Sequence, residues 1–134
     1  MFIISNAAVS WKSRKQGCVA LSTAEAEYIA LAVASQEAVW IKKLFAELDI
    51  EEDKPIMIFE DNQSAICIAK HQQHGRTKHV DIKYHYTRDQ VAANVIELKH
   101  CPSKEMIADA LTKPLPTSQF RRLCSMMGLK IQPE

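Results

Sequence analysis

Apolar and polar residues alternate along the chain in a pattern that predicts strands between helices. Residues 2–11 and 17–22 are rich in apolar and β-branched side chains, and the basic segment KSRKQG joins them. We predict an antiparallel hairpin from these two runs. Pro55 then opens the continuous apolar run IMIF, which favours a central strand covered on both faces. The run from Val95 to His100 predicts a further strand.

Helical spacing fills the intervals between these strands. Ser22 and Glu25 form an S-x-x-E capping box, and apolar residues continue at helical spacing as far as Leu48. Three shorter helical patterns cover residues 63–71, 77–93 and 103–112, and prolines at 114 and 116 end the last of them. This order predicts an α/β fold with helices packed against a mixed sheet.

Length and composition fit one folded domain. The chain has 134 residues, 47% of them hydrophobic and 25% charged, which excludes a disordered, collagen-like or coiled-coil protein. We assign residues 1–116 to the domain and residues 117–134 to a C-terminal tail. No apolar run reaches the ~18 residues of a membrane span, so no membrane partner is expected. The four cysteines are scattered and contain no C-x-x-C pair, which favours reduced thiols in an intracellular compartment.

Charge is nearly balanced in total but unevenly distributed. The formal net charge of +1 excludes a uniformly basic nucleic-acid coat. Residues 47–61 contain seven acids and one lysine, whereas residues 70–88 contain five Lys or Arg and four of the five histidines. Two solvated faces are the simplest interpretation. A basic face for nucleic acid is the alternative.

Three acidic residues stand at positions where a purely structural role explains little. Glu27 is the one charged member of an otherwise apolar helical stripe at positions 27, 31, 34, 38, 41, 45 and 48. Asp61 follows the central strand, where it could cap the next helix or bind a ligand at the carboxyl end of the strand. For Asp109 alone, a solvent-facing position on the last helix is the simplest explanation.

These three carboxylates lie on elements that an α/β sheet could bring to one edge. Converging carboxylates repel one another unless a cation neutralises them. Magnesium prefers such oxygen ligands. Two ions about 3.5 to 4 Å apart could activate a water and stabilise the leaving oxygen in phosphodiester cleavage. The residues alone therefore predict a candidate site for metal-assisted phosphoryl transfer.

Four longer strings make the pattern specific: KSRKQGCVALSTAEAEYIAL, FEDNQSAICIAK, RTKHVDIKYHYTRD and IADALTKPLP. In this order, over about residues 8–116, they resemble the ribonuclease H domain of Ty1/copia-type retrotransposon Pol polyproteins. The resemblance implies a ribonuclease H-like mixed sheet flanked by helices. It also implies cleavage of the RNA strand of RNA:DNA hybrids with two Mg²⁺ ions, or Mn²⁺ in their place.

The resemblance also assigns residues. Glu27, Asp61 and Asp109 match the family's AEY, DNQ and ADxLTKPL motifs, which implies that they are catalytic and hold the metal ions. The groups expected to contact the hybrid through its minor groove or its phosphates are Thr23, Asn62, Gln63, Arg76, Lys78, His79, Lys83 and Arg88. Separately from the resemblance, His100 ends a strand nine residues before Asp109, and this position makes it a candidate proton shuttle. The implied partners are the hybrid and the reverse transcriptase domain of the same polyprotein, in a cytoplasmic virus-like particle or the nucleus.

One departure from the family pattern concerns the first strand. The pattern begins with a strand whose aspartate bridges both metals, and no such segment or early aspartate occurs here before Asp49. We therefore expect the fold to lack that strand and the chain alone to have little or no nuclease activity. A domesticated, non-catalytic module that binds nucleic acid or protein is the alternative. Dimerisation through the exposed sheet edge is a further possibility.

Overall fold

Strands and helices alternate along the chain, as the sequence predicts. The computed structural model describes residues 1–50, 53–70 and 78–130. Within these residues the fold is mixed α/β, with four α-helices and two small sheets, which agrees with a ribonuclease H-like class. The chain divides into two compact units, one formed by residues 19–101 and the other by residues 1–18 with 102–134.

The unit of residues 19–101 contains a parallel strand pair and three helices. In chain order these are α1 (Thr23–Glu47), β3 (Ile56–Glu60), α2 (Gln63–Lys70), α3 (Lys78–Ala92) and β4 (Ile96–His100). The strands β3 and β4 pair in parallel with Ile56 opposite Ile96 and Glu60 opposite His100. Helix α1 packs against α2, α3 and both strands, so it forms the centre of this unit.

The start of α1 confirms the predicted capping box. Ser22 accepts a hydrogen bond from the Glu25 N–H at 3.1 Å, and the Glu25 carboxylate accepts one from the Leu21 N–H at 2.6 Å. The first bond satisfies a backbone donor that the first turn of a helix leaves without a partner, and the second satisfies the donor of the residue just before the cap. Helix α1 is buried along two adjacent rows of side chains, Tyr28, Ala32 and Ser35 in one and Leu31, Ala38 and Ile41 in the other.

Strand β3 is buried on one face, so the prediction that it is covered on both faces is wrong. Ile58 and Glu60 are 9% and 7% exposed, whereas Met57 and Phe59 are 40% and 53% exposed. Side chains alternate between the faces of a strand, and among the described residues β3 pairs only with β4. The continuous apolar run therefore does not by itself reveal how many faces are covered.

The other unit begins with a tighter hairpin than the sequence predicts. Strands β1 (Phe2–Ile4) and β2 (Ala7–Ser10) pair antiparallel, and the turn consists of Ser5 and Asn6 at φ values of 50° and 63°. Two consecutive residues with positive φ make a tight turn that matches the twist of a hairpin. The predicted second strand at residues 17–22 is wrong, because both strands form within residues 2–10 and residues 11–22 contain no strand.

The end of the same unit differs from the predicted helix at residues 103–112. Two 3₁₀ turns, Ser103–Glu105 and Ile107–Leu111, replace it because the extended Met106 interrupts the ladder between them. Residues 117–126, within the predicted tail, form helix α4 (Thr117–Met126). Leu123 and Met127 are buried, and the Met127 carbonyl accepts a hydrogen bond from the Ala8 N–H of β2 at 2.9 Å.

Gly128 makes this contact between α4 and the hairpin possible. Its φ of +80° lies in the left-handed region, and a Cβ at this position would stand 2.5 Å from the Asn6 carbonyl oxygen. We expect Gly128→Ala to lower the free energy of unfolding by about 2 to 4 kcal/mol, since backbone must move to admit the methyl group. Urea denaturation followed by circular dichroism measures the change.

Gly17 provides the matched control, because a Cβ there meets nothing within 4 Å. Gly17→Ala should change the unfolding free energy by less than about 0.5 kcal/mol. Equal stability of the two variants would contradict the close approach of Gly128 to the hairpin.

Candidate metal-binding site

Three carboxylates converge where β3 ends and α1 begins. Glu27 lies in the second turn of α1, Glu60 is the last residue of β3, and Asp61 follows it. One oxygen from each carboxylate lies within 4.8 Å of the others. We call these three residues the acidic cluster. It contains two of the three acidic residues selected from the sequence, together with Glu60, which was not selected.

Asn62 fixes the backbone on which Glu60 and Asp61 stand. Its side-chain oxygen accepts a hydrogen bond from the Ala65 N–H at 3.1 Å, and its carbonyl accepts one from Ile66, so Asn62 is the N-cap of α2. Its own N–H donates to the Glu60 carboxylate at 3.0 Å. The structural alternative for Asp61, a role as N-cap, is therefore wrong, because its neighbour has that role.

Glu60 is the buried member of the cluster, with 7% of its surface exposed. Burial, together with the negative charges of Glu27 and Asp61, raises the pKa of its carboxyl group to about 7, although the Asn62 N–H opposes this rise. The sequence contained a signal for Glu60: it shares the inward face of β3 with Ile56 and Ile58, as Glu27 shares an apolar stripe on α1.

The donor set of the cluster suits a hard divalent cation. Three carboxylate groups offer only oxygen ligands, which is the chemistry that Mg²⁺ and Mn²⁺ prefer over the nitrogen and sulfur ligands of zinc sites. Burial is the main cause of the raised Glu60 pKa, and a cation between the carboxylates would offset the repulsion from Glu27 and Asp61 that adds to it. The residues present therefore fit a magnesium or manganese ion.

Asp109 belongs to the unit of residues 1–18 and 102–134, whereas Glu27 and Asp61 belong to the unit of residues 19–101. The acidic cluster therefore contains two of the three predicted metal ligands. Asp109 is 7% exposed, which overturns the interpretation of a solvent-facing residue. Its carboxylate accepts a hydrogen bond from the Lys113 ammonium group at 2.9 Å, one turn further along the chain. Lys113 is its one cationic partner in the described part of the chain, so the carboxylate retains oxygen lone pairs for a further ligand.

Two of the predicted substrate contacts stand beside the acidic cluster in the chain and are exposed. Thr23 is the first residue of α1, one helical turn before Glu27, and Gln63 is the first residue of α2, two residues after Asp61. Asn62 is partly buried, and its side-chain oxygen caps α2. Of these three groups, Thr23 and Gln63 are thus the more accessible to a substrate.

Arg88 has part of its guanidinium group buried within the helical layer. Burial raises the pKa of Tyr28 on α1, and nearby Thr87 and Arg88 on α3 act in the opposite direction. The Thr87 hydroxyl oxygen and the Arg88 Nε are buried and lack a well-oriented partner in the described part of the chain. Arg88 therefore helps to fill the α1–α3 interface. A contact between its other two guanidinium nitrogens and a phosphate stays a prediction.

The remaining predicted contacts are on or next to α3 and at the end of β4. Arg76 lies outside the described residues. Lys78, His79 and Lys83 belong to α3, but their side chains also lie outside the described part. His100 is exposed at the end of β4 and is the register partner of Glu60. Its backbone is therefore next to that of Glu60, and its role as a proton shuttle stays a prediction.

None of the described helices combines the length and the apolar character needed to cross a bilayer.

Comparison with known proteins identifies relatives over nearly the whole chain. It is 38% identical over 130 residues to a retrovirus-related Pol polyprotein from transposon TNT 1-94 of Nicotiana tabacum, covering 96% of this chain and 10% of that protein. It is 38% identical over 122 residues to the corresponding polyprotein from transposon RE1 of Arabidopsis thaliana, covering 90% of this chain and 8% of the relative. The Ty1-NL2 Gag-Pol polyprotein of Saccharomyces cerevisiae is 31% identical over 127 residues, covering 92% and 7%.

The homologues are thus Ty1/copia-type Pol polyproteins, and the chain spans about a tenth or less of their length. No family model matches the chain. No solved structure matches it either. The similarity therefore relates the chain to one segment of these polyproteins.

The raised pKa of Glu60 predicts how stability depends on pH. An acid with a pKa of about 7 when folded and 4.5 as its ordinary value binds its proton more tightly in the folded state. The free energy of unfolding should then fall as the pH rises from 4.5 to 7, by up to roughly 3 kcal/mol. We expect Glu60→Gln to remove this fall, so the variant should be more stable than the wild type at pH 8 and not at pH 4.5.

Urea midpoints measured at pH 4.5, 6 and 8 in a metal-free buffer test this expectation. Glu97, an exposed glutamate on β4, supplies the control Glu97→Gln, which should leave the pH profile unchanged. A stability difference between Glu60→Gln and wild type that is the same at every pH would contradict the raised pKa.

Proposed function

We propose that the chain is the ribonuclease H module of a retrotransposon Pol polyprotein, which cleaves the RNA strand of RNA:DNA hybrids, and that this chain alone has weak activity at most. The observation that carries the proposal is the convergence of Glu27, Glu60 and Asp61 within 4.8 Å. Support comes from the motifs around Glu27 and Asp61 and from the similarity to Pol polyproteins over 96% of the chain.

The acidic cluster would hold Mg²⁺ or Mn²⁺, and the bound metal would supply an activated water and stabilisation of the oxygen that leaves the phosphodiester. Two ions are proposed because the resemblance implies two. We also propose Asp109 as a metal ligand, and the support for this role is the IADALTKPLP motif in which it lies. The chain contributes a rigid arrangement of carboxylates, since Asn62 holds Glu60 by a backbone hydrogen bond and also anchors α2.

Recognition of the hybrid would involve polar groups beside the cluster. The exposed Thr23 hydroxyl and Gln63 amide can each donate and accept hydrogen bonds. Such groups suit the 2′-hydroxyls that line the minor groove of an RNA-containing duplex and distinguish RNA from DNA. Basic residues of α3, with Arg76 before it, would contact phosphates and fix the register of the hybrid.

The proposal also includes the setting of the module. Its partners would be the hybrid and the reverse transcriptase domain of the same polyprotein. Its location would be inside the cell, in a virus-like particle or the nucleus.

Metal binding tests the site directly. We expect Mg²⁺ and Mn²⁺ to raise the melting temperature of the wild-type chain, because a ligand of the folded state stabilises it by mass action. Glu27→Gln and Asp61→Asn should each weaken the binding measured by titration calorimetry by about tenfold or more, since each replaces a charged carboxylate ligand with a neutral amide. Glu97→Gln serves as the control. Unchanged metal affinity in both cluster variants would contradict the site.

Cleavage of a labelled RNA:DNA hybrid tests the activity. Because the sequence predicts weak activity for this chain alone, the assay uses protein in molar excess with Mg²⁺ or Mn²⁺. Asp61→Asn should slow cleavage by at least about 100-fold, if the metal contributes several kcal/mol to the transition state. An all-DNA duplex of the same sequence should stay intact. Metal-independent binding of the hybrid without any cleavage would favour the non-catalytic alternative.

A further inference from the structure

The small net charge conceals a strong separation of charge between the two units. The unit of residues 1–18 and 102–134 contains eight Lys or Arg and three Asp or Glu, a net charge of +5. The unit of residues 19–101 contains nine and thirteen, a net charge of −4. Such asymmetry within a chain indicates a polyanionic partner for its basic part.

We call the unit of residues 1–18 and 102–134 the basic unit. Its densest cluster of positive charge lies directly after β2. Residues 11–15 read Trp-Lys-Ser-Arg-Lys, and all five are exposed. The Trp11 indole is 63% exposed. In the described part of the chain, Lys12, Arg14 and Lys15 form no ion pair, so their charges are directed to solvent. We call residues 11–15 the basic loop.

A hydrogen bond fixes the basic loop to the rest of its unit. The Ser13 hydroxyl donates to the carbonyl of Leu111 at 3.2 Å, and Leu111 ends the second 3₁₀ turn. Lys113 follows two residues later, with its side chain 49% exposed while it contacts Asp109. The loop is therefore held at its start by β2 and at its middle by the Ser13 hydrogen bond, which lowers the entropy lost when it binds a ligand.

We propose that the basic loop binds single-stranded nucleic acid, with a base stacked on Trp11 and phosphates on Lys12, Arg14 and Lys15. Stacking on an aromatic residue beside basic side chains is how proteins hold unpaired bases without sequence preference. In a duplex, both faces of each base are already covered by its neighbours, so an exposed indole favours the single strand. Residues 11–15 span at most about 14 Å when extended, which is the length of about four nucleotides at the 3.4 Å spacing of a stacked strand. This proposal goes beyond the cleavage site and does not depend on it.

Binding of labelled oligothymidylate and oligouridylate to the 134-residue chain, followed by fluorescence anisotropy, tests the proposal. Trp11→Ala should weaken both by roughly 5- to 100-fold, the range found for loss of one stacked base. Trp11→Phe should restore most of the affinity because it retains an aromatic face. The affinity for a fully paired hybrid should fall by less than about threefold in Trp11→Ala, since the hybrid has no unpaired base to stack on the indole.

The charge contribution is tested by salt dependence. The triple variant Lys12→Gln, Arg14→Gln and Lys15→Gln should lower the slope of log affinity against log salt by about 2 for single strands. The matched control replaces Arg121, Arg122 and Lys130 by Gln, which removes the same charge from exposed positions of the same unit. The control should retain most of the affinity and of the slope.

Tryptophan emission provides an independent readout of stacking. The chain has two tryptophans, so Trp40→Phe leaves Trp11 as the single emitter. Saturable quenching by oligothymidylate is expected in this variant. Circular dichroism melting confirms that each variant is folded before binding is compared.

Several results would overturn the proposal. These are wild-type affinity in Trp11→Ala, equal losses in the control and loop triple variants, unquenched Trp11 emission, or equal losses for hybrid and single strand in Trp11→Ala. Glu27→Gln and Asp61→Asn should bind single strands as the wild type does. A chain that fails to cleave hybrids can therefore still bind single strands through the basic loop. Conversely, a chain that cleaves hybrids but does not bind single strands through the loop disproves only the role of the loop.

Discussion

The hydrogen bond from the Asn62 N–H to the Glu60 carboxylate, at 3.0 Å, determines the local arrangement on which the site depends. Through its side chain the same residue accepts a bond from Ala65 and starts α2. One asparagine, two residues after the end of β3, thus caps α2 and orients the buried Glu60 carboxylate. A substitution there would disturb the direction of α2 and the placement of the carboxylates together, which couples local folding to site geometry.

The acidic cluster illustrates a conflict between stability and chemistry. Without a cation, Glu60 is stabilised by protonation, since its pKa stands near 7 beside Glu27 and Asp61. Packing elsewhere must compensate for this arrangement, and α1 supplies much of it by contacting two helices and both strands of its unit. Tyr28, the neighbour of Glu27, is fully buried and so anchors the helix at the level of the cluster. Rigid surroundings of this kind keep like charges close together.

Local signals predicted much of the fold because they act within a few residues. The capping box at Ser22 and Glu25 and the apolar spacing located α1, and the same reasoning selected Glu27. The predictions were wrong or incomplete where contacts between distant residues determine the structure. Residues 17–22 have the composition of a strand, but Val19 and Leu21 are 91% and 84% exposed because the hairpin closes earlier, at Ser5 and Asn6. Glu60 was missed although its inward position on β3 follows from the two-residue period of the strand.

The bond between Ala8 and Met127 joins residues 119 positions apart and makes the basic unit discontinuous in the chain. At a synthesis rate of 5 to 20 residues per second, the hairpin would wait roughly 6 to 24 s for its partner helix, while the contiguous segment 19–101 can already fold. Loop closure over such a distance also slows folding in a complete chain. The two units should therefore form in sequence, and the nascent hairpin, with its unpaired strand edges exposed, is the stage most open to misassociation.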